Sequence, residues 1–384
     1  MPLFIIVLSQ FLGTSLWFTP NGIASSLVEQ ELFTFVEVGY LTSAVQMGFI
    51  VGTLLIAFSG YADRFRASRI FFFSALVGAL FNTLFIFTQG LLPVAVLCRF
   101  MTGVALAGIY PIGMKLVVSW YPLKTGHALG WLVGMLTLGT GFPHAMQAVG
   151  GSDFWQLPVV GASVFAIVAG VLVLKLGEGE HLPLRTTVLT GKVLTAFSLP
   201  SFRSAALAYF GHCWELYAFW ALVPMFVISI FSVDQFSSHT VSWISFSIIG
   251  IGFFGCLVAG WMSREWGSAK TAFIMLLISG LICLLWPLIG GFSKWFLLLV
   301  LLIWGFTVIA DSAQYSALAA QACPKEYVGS ALALMNSIGF FMTAVSISLV
   351  TYLYPLIQSW VAWIMLLGPA IGLVSLVRLI RVPL

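Results

Sequence analysis

The sequence predicts an all-α membrane protein of twelve transmembrane helices in two pseudo-symmetric halves of six. The prediction rests on composition, on twelve apolar stretches of bilayer length, and on turns that recur at a matching offset. Of the 384 residues, 61% are hydrophobic and 7% are charged, whereas about a quarter of a soluble domain is charged. So little charge cannot cover a surface that faces water, and the 34 Phe and 14 Trp suit contact with lipid.

Each predicted helix is a stretch long enough to cross the bilayer. A hydrocarbon core about 30 Å thick requires about 20 apolar residues in a helix, and unpaired backbone groups are too costly there for any open structure. The first six stretches are Leu3 to Leu27, Val38 to Ser59, Ile70 to Thr88, Leu92 to Val118, Gly126 to Val149 and Phe154 to Leu174. The second six are Ser204 to Ile230, His239 to Trp261, Thr271 to Gly290, Trp295 to Ala320, Val328 to Tyr354 and Ser359 to Leu379.

The beginning of the chain and its cysteines restrict the interpretation further. The first residues lack the basic segment of a cleaved signal peptide, so we expect the first helix to be retained. The five cysteines are isolated within or beside apolar stretches. Without a Cys-x-x-Cys pair, we predict no disulfide framework and no metal site. We also expect no cofactor.

The distribution of basic residues predicts the orientation. Lys and Arg collect on the cytoplasmic side of membrane proteins. Basic residues fill the even-numbered turns and the C-terminus: Arg64, Arg66, Arg69, Lys124, Lys175, Arg185, Lys192, Arg203, Arg264, Lys270, Lys325, Arg378 and Arg381. The odd-numbered turns contain Lys294 and five acidic residues, Glu29, Glu31, Glu37, Asp153 and Asp234. Both termini are therefore predicted to be cytoplasmic, in a cell inner (plasma) membrane.

A long polar stretch divides the chain into a six-helix bundle at residues 1–174, a cytoplasmic linker at 175–203, and a second bundle at 204–384. Internal repetition supports this division. The segment from Gly60 to Arg64 recurs at Gly260 to Arg264, and Pro122-Leu-Lys-Thr-Gly126 has a counterpart near Pro324. Two repeats at a matching offset indicate duplicated parallel halves.

These features resemble the major facilitator superfamily over nearly the whole chain. Its cytoplasmic gating motif has an Asp-Arg pair after helix 2, matched here by Asp63 and Arg64, with Arg69 as a following base. Ser59 and Arg66 stand where the family has glycines, so the sequence departs from the family at the tight turn. It keeps the acid and the base that form the family's ionic latch. Arg99 resembles an arginine on helix 4 of proton-coupled members. The resemblance implies that helices 1, 4, 7 and 10 line a central cavity.

Three ionisable residues within predicted helices are the main candidates for transport. An intramembrane charge costs at least about 2.5 kcal/mol, so each needs a reason. Glu215 on helix 7 and Asp311 on helix 10 are predicted proton carriers. Arg99 on helix 4 either balances them or binds an anionic substrate through its planar guanidinium. The alternative for all three is a permanent interhelical network that fixes packing.

Other polar or aromatic residues complete the predicted substrate and proton pathway. The histidines and Asn21 have structural alternatives, a satisfied hydrogen bond or a frayed helix end, and Trp17 could instead be an interfacial anchor. The Pro20-Asn21-Gly22 sequence is expected to interrupt helix 1. The additional candidates are His212, His144, Asn21, Trp17, Gln46, Gln314, Tyr315 and Asn336.

The function predicted from these residues is secondary active transport, with proton coupling as the energy source and a small anionic or zwitterionic solute. ATP-binding and hydrolase motifs are missing, so we expect no enzyme. The expected partners are the solute, H+ and the lipid bilayer, with no nucleic acid, and the protein is expected to be a monomer. An efflux pump for amphipathic compounds is the first alternative. A non-transporting sensor or assembly protein on a carrier scaffold is the second.

Overall fold

The computed structural model describes residues 2–59, 65–121, 125–150, 154–180, 194–231, 238–324 and 328–381. Helices account for nearly all of these residues, and no strand occurs within the described ranges. The predicted all-α fold is confirmed. The proposed linker at 175–203 includes residues 181–193, which lie outside the described ranges, so the domain boundaries stay a prediction.

The first half contains six helices, α1 to α6. Two of them, α1 and α4, consist of three and two parts because the backbone leaves the helical path within them. Their bounds are α1, Pro2–Thr14, Thr19–Gly22 and Ala24–Glu29; α2, Phe35–Ser59; α3, Ala67–Leu84; α4, Leu92–Leu106 and Tyr110–Trp120; α5, Thr125–Gly150; and α6, Gln156–Leu176.

The second half repeats this arrangement with α7 to α12. Short 3-10 turns precede or link helices at Leu194–Ser198, Trp286–Leu288 and Gln358–Trp360. The helix bounds are α7, Pro200–Phe231; α8, Ser238–Gly250 and Gly252–Trp266; α9, Ser268–Leu285; α10, Lys294–Val308 and Ser312–Gln321; α11, Val328–Ile357; and α12, Val361–Met365 and Leu367–Arg381.

The number of membrane crossings follows from these helices. Nine helical stretches in the described residues are long and apolar enough to span a membrane. One of them, Ala331–Arg381, is 51 residues long and contains both α11 and α12. The broken α1 and the glycine-rich α5 supply two further crossings within the described part of the chain. The twelve predicted helices are thus present, with both termini on one side, here called the terminal side; the opposite side is the distal side.

Glycines bring equivalent helices into close contact in the two halves. A Cβ atom at Gly52 of α2 would lie 2.7 Å from the carbonyl oxygen of Val104 in α4. In the second half, a Cβ atom at Gly252 of α8 would lie 3.0 Å from the carbonyl oxygen of Gly305 in α10. Only small residues allow helix backbones to approach this closely. The same contact at an offset of about 200 residues is the structural counterpart of the sequence repeat.

The two halves meet from the middle of the membrane to the distal side. Along α2 and α11, the rings of Phe49 and Phe340 are 4.4 Å apart, and nearer the distal side Ser43 Oγ lies 2.8 Å from Ser348 Oγ. Beyond these, Phe35 packs on Tyr354 with ring centroids 5.8 Å apart.

The contact between α5 and α8 follows the same pattern. A Cβ atom at Gly134 would lie 2.8 Å from the ring of Phe253, and at the distal end the His239 ring contacts the carbonyl oxygen of Ala148. One turn closer to the terminal side, no described atom lies within 4 Å of a Cβ placed at Gly130. The described contacts between the halves therefore run from the distal side to Trp131 of α5 and Phe253 of α8, whose ring centroids are 5.6 Å apart.

Candidate functional site

A buried polar cluster surrounds the break in α10. The two parts of α10 are separated at Ile309 to Asp311, and the Asp311 side chain turns into the second half. Asp311 Oδ1 lies 2.8 Å from Nδ1 of His212 on α7, at ion-pair distance but without hydrogen-bond geometry. Tyr315 donates its hydroxyl to Asp311 Oδ2 at 2.6 Å. All three predicted residues are therefore brought together, and each is almost fully buried.

Aromatic rings hold the His212 imidazole in place. Its ring lies 5.3 Å from that of Tyr315 and 6.2 Å from that of Tyr209, centroid to centroid. Gln314 is buried beside Asp311 on the first turn of the second part of α10. The arrangement places one acid, one imidazole and two phenols within a space from which water is largely excluded. Such a group can accept, hold and pass a proton.

Glu215 lies one turn from His212 on α7, but it faces different helices. Its Oε1 accepts hydrogen bonds from Trp304 Nε1 at 2.8 Å and from Cys283 Sγ at 3.3 Å. Its Oε2 accepts from Ser279 Oγ at 3.0 Å. Three donors on α9 and α10 thus satisfy a completely buried carboxyl group. This geometry fits two roles for Glu215: a hydrogen-bonded link from α7 to α9 and α10, or a proton carrier.

Arg99 is completely buried and bound to the break in α1. Nη2 donates to the carbonyl oxygens of Leu16 at 2.8 Å and Trp17 at 2.9 Å, which belong to the non-helical turn after Thr14. Nη1 donates to Asn82 Oδ1 on α3 at 2.7 Å. Because unwinding a helix frees carbonyl groups that need donors, the guanidinium stabilises the interrupted shape of α1.

An aromatic cluster occupies the centre of the molecule between the halves. Trp17 stacks on Phe340 of α11, with centroids 5.8 Å apart and an interplanar angle of 22°. The rings of Phe49 and Tyr217 lie 5.0 and 6.2 Å from that of Trp17, and Tyr110 of α4 lies 6.4 Å away. Trp17 is thus buried in the interior, and the alternative of an anchor at the membrane interface does not fit its position.

The remaining polar candidates of the first half surround the α1 break. Asn21 Oδ1 accepts a hydrogen bond of 2.7 Å from Thr42 on α2. Gln46 lies one turn further along the same face of α2 and is completely buried, and neither its Oε1 nor its Nε2 has a hydrogen-bond partner. His144 on α5 is buried with its Nε2 unpaired. The backbone of His144 packs against Gly22.

The other predictions lie away from these clusters. Asn336 is half-buried on α11. In the gating motif, Asp63 and Arg64 lie outside the described residues, and Arg69 is exposed at the start of α3. The pairing of this motif therefore remains a prediction.

Several residues that complete these sites were not predicted from the sequence. Asn82 connects Arg99 to α6 through hydrogen bonds to Val159 O at 2.9 Å and Ser163 Oγ at 3.0 Å. An amide inside an apolar helix could have been noticed by the same criterion that identified Asp311. Trp304 and Cys283 carry no such signal, because both residue types are common in membrane helices.

Taken together, the all-helical fold and its long apolar helices define a polytopic membrane protein with buried polar clusters. Residues 3–347 match the family model of the Major Facilitator Superfamily, and the chain belongs to that superfamily of secondary transporters. No match was found among curated proteins.

Solved structures share the fold. The chain is similar to a crystal structure of a mutant of the nucleoside transporter NupG, with a TM-score of 0.71. The alignment covers 99% of each chain at 13% sequence identity. At that identity the similarity extends to the fold only.

Proposed function

We propose that this protein is a proton-coupled transporter of the cell inner (plasma) membrane that moves a small polar solute by alternating access. The observation that carries the proposal is the buried contact between Asp311 and His212 at the break in α10. Ionisable residues inside a membrane protein are costly and mark functional sites. Both groups can change charge with a single proton, so they can couple proton binding to movement of the surrounding helices.

The contacts between the halves support alternating access. Ser43, Phe49 and Gly134 meet the other half from the centre to the distal side. Rocking the halves about the central aromatic cluster would break these contacts and expose a central site to the distal side. If the basic turns lie in the cytoplasm, both termini are cytoplasmic and the described contacts close the external side. In that orientation, Asp63, Arg64 and Arg69 would form the cytoplasmic gating motif.

The surroundings of the basic residues favour a solute without net charge. An anionic solute would need a cation free to bind it. Both Nη atoms of Arg99 are occupied by carbonyl and amide oxygens, which leaves only its buried Nε without a partner, and His212 contacts Asp311. A zwitterionic solute fits this balance better than an anionic one, and the protein is proposed to act as a monomer.

One observation favours export of amphipathic compounds as a second candidate. A groove of about 540 Å³ opens between α2 and α11 at the seam of the two halves. Its walls combine apolar side chains with the polar groups of Tyr40, Ser43 and Ser348. Such a groove could admit an amphipathic molecule from the lipid.

The decisive test uses purified protein in proteoliposomes. A thermal-shift screen against a metabolite library first identifies solutes that bind, since a ligand of the folded state raises its stability. Uptake of each hit is then measured with and without an imposed pH gradient. We expect the solute to accumulate against its gradient only when protons move down theirs. Uptake that does not depend on the pH gradient would contradict proton coupling. The absence of any flux would favour a sensor or assembly role.

A further inference from the structure

Two residues at the centre of the molecule present hydrogen-bonding groups that have no partner. Both the Oε1 and the Nε2 of Gln46 are unpaired, as is the indole Nε1 of Trp17. The two side chains are 0% and 1% exposed. A buried polar group without a partner destabilises the folded state because it has lost its hydrogen bonds to water. Such groups are rare in native proteins and call for an explanation.

The position of Gln46 on α2 places it beside Trp17. Residues three and four apart lie on the same face of a helix, and Thr42 and Phe49 are such neighbours of Gln46. Thr42 donates to Asn21 of α1, and the Phe49 ring is 5.0 Å from the Trp17 ring. The Gln46 carboxamide therefore lies on the face of α2 that covers the break in α1.

The same place is the meeting point of the two halves. Trp17 stacks on Phe340 of the second half, and Tyr217 lies within 6.2 Å of Trp17. Distal to the cluster the halves are closed by Ser43 and Ser348. The aromatic cluster is thus enclosed between the two halves, where movement of one half against the other would expose it.

We propose that Trp17 and Gln46 bind an uncharged heteroaromatic ring of the solute, an inference that rests on the proposed transport function. The ring inserts at the stack of Trp17 and Phe340 as the halves move. A carboxamide offers one acceptor and two donors in one plane, which matches the edge of a heterocycle with adjacent donor and acceptor atoms. Glutamine reads adenine in nucleic acids through the same geometry. Stacking on an aromatic side chain also stabilises such a ring.

Charge at the cluster agrees with this class of ligand. Arg99 reaches Trp17 only at its main-chain oxygen, and both of its Nη atoms are already bonded. The aromatic residues around Trp17 contribute phenol and hydrocarbon surfaces, which suit a ring without formal charge. Ordered water is the other occupant that could satisfy Gln46 and Trp17.

The test measures equilibrium binding to the purified full chain in detergent, by thermal shift and calorimetry. The probes are adenine, uracil and nicotinamide as uncharged heterocycles, with benzoate as an anionic ring and glycine as a zwitterion without a ring. We expect at least one heterocycle to bind, and benzoate and glycine not to bind. Gln46→Leu and Trp17→Phe are expected to weaken binding about tenfold or more, which is the effect of 1.4 kcal/mol.

Matched controls replace exposed residues of the same types. The control variants are Gln321→Leu, at the end of α10, and Trp261→Phe, on α8, where Trp261 is 60% exposed. Both should leave the affinity unchanged. If Gln46→Leu does not fold, Trp17→Phe alone decides the outcome. Binding of benzoate or glycine in place of the heterocycles would overturn the proposal. Equal affinity of wild type and the two variants would also overturn it. A third contradicting result is that no probe binds and Gln46→Leu raises the melting temperature, which would mean that only water fills the site.

The result separates this proposal from the proposed function. Binding of a heterocycle without any flux would contradict proton-coupled transport and leave the site intact. Proton-driven flux of a solute without a ring, unchanged by Gln46→Leu, would contradict the site and leave transport intact.

Discussion

Nδ1 of His212 lies 2.8 Å from Oδ1 of Asp311, and this contact joins α7 to the break in α10. Tyr315 donates to the other oxygen of the carboxylate. The break frees Asp311 from a regular helical environment, and the rings of Tyr209 and Tyr315 position the imidazole. A change in protonation at this point would alter the attraction between two helices of one half.

Replacing Arg99 is expected to destabilise the fold. Arg99→Ala would leave Asn82 and the carbonyl groups of Leu16 and Trp17 without their donor. With about 1–3 kcal/mol lost for each unsatisfied buried group, we expect the free energy of unfolding to fall by about 3 kcal/mol or more. Thermal unfolding in detergent measures the loss. Arg203→Ala, at an exposed position on α7, serves as the control, and equal melting of the two variants would refute the assigned role.

Removing the Ser43 hydroxyl is expected to loosen the distal closure. Ser43→Ala deletes the hydrogen bonds to Ser348 Oγ at 2.8 Å and to Ala344 O at 3.1 Å. A net loss of about 1 kcal/mol would shift the equilibrium toward distal opening about fivefold. Spin labels at exposed Val149 and Leu356 would report a larger population at long distance.

The control for this variant is Ser375→Ala, which removes an exposed hydroxyl bonded only to its own helix. It should leave the distance distribution unchanged. A wild-type distribution in Ser43→Ala would mean that the hydroxyl does not hold the halves together.

Glycine packing between α2 and α4 yields a third prediction. A Cβ atom at Gly48 would collide with the backbone of Phe100, whereas no described atom lies within 4 Å of a Cβ at Gly260. Since overpacking costs about 1–3 kcal/mol, Gly48→Ala should lower the melting temperature. Gly260→Ala should melt at or above the wild-type temperature because alanine favours the helix. The reverse order would show that the helices are not packed as described.

Much of the fold could be predicted from the sequence because bilayer thickness fixes helix length, whereas the orientation expected from the basic turns stays a prediction. Pro20 also marked the interruption of α1, although the break begins earlier, at Ser15. The break at Asp311 was not predicted, since no proline or glycine precedes it. Which residues meet across helices could not be predicted either. For Arg99 the sequence leaves open an acid partner, a substrate or a packing network, and the structure shows hydrogen bonds to Asn82 and the main chain of α1.

The two carboxyl groups give the most direct test of proton coupling. Uptake of a solute identified by binding is measured in proteoliposomes of wild type, Asp311→Asn and Glu215→Gln, with and without an inward pH gradient. Solute exchange at equal pH, together with thermal unfolding, controls for folding. We expect wild type to accumulate solute under the gradient and Asp311→Asn to exchange solute without accumulating it. If Asp311→Asn and Glu215→Gln both accumulate solute with wild-type pH dependence, proton coupling through these carboxyl groups is contradicted.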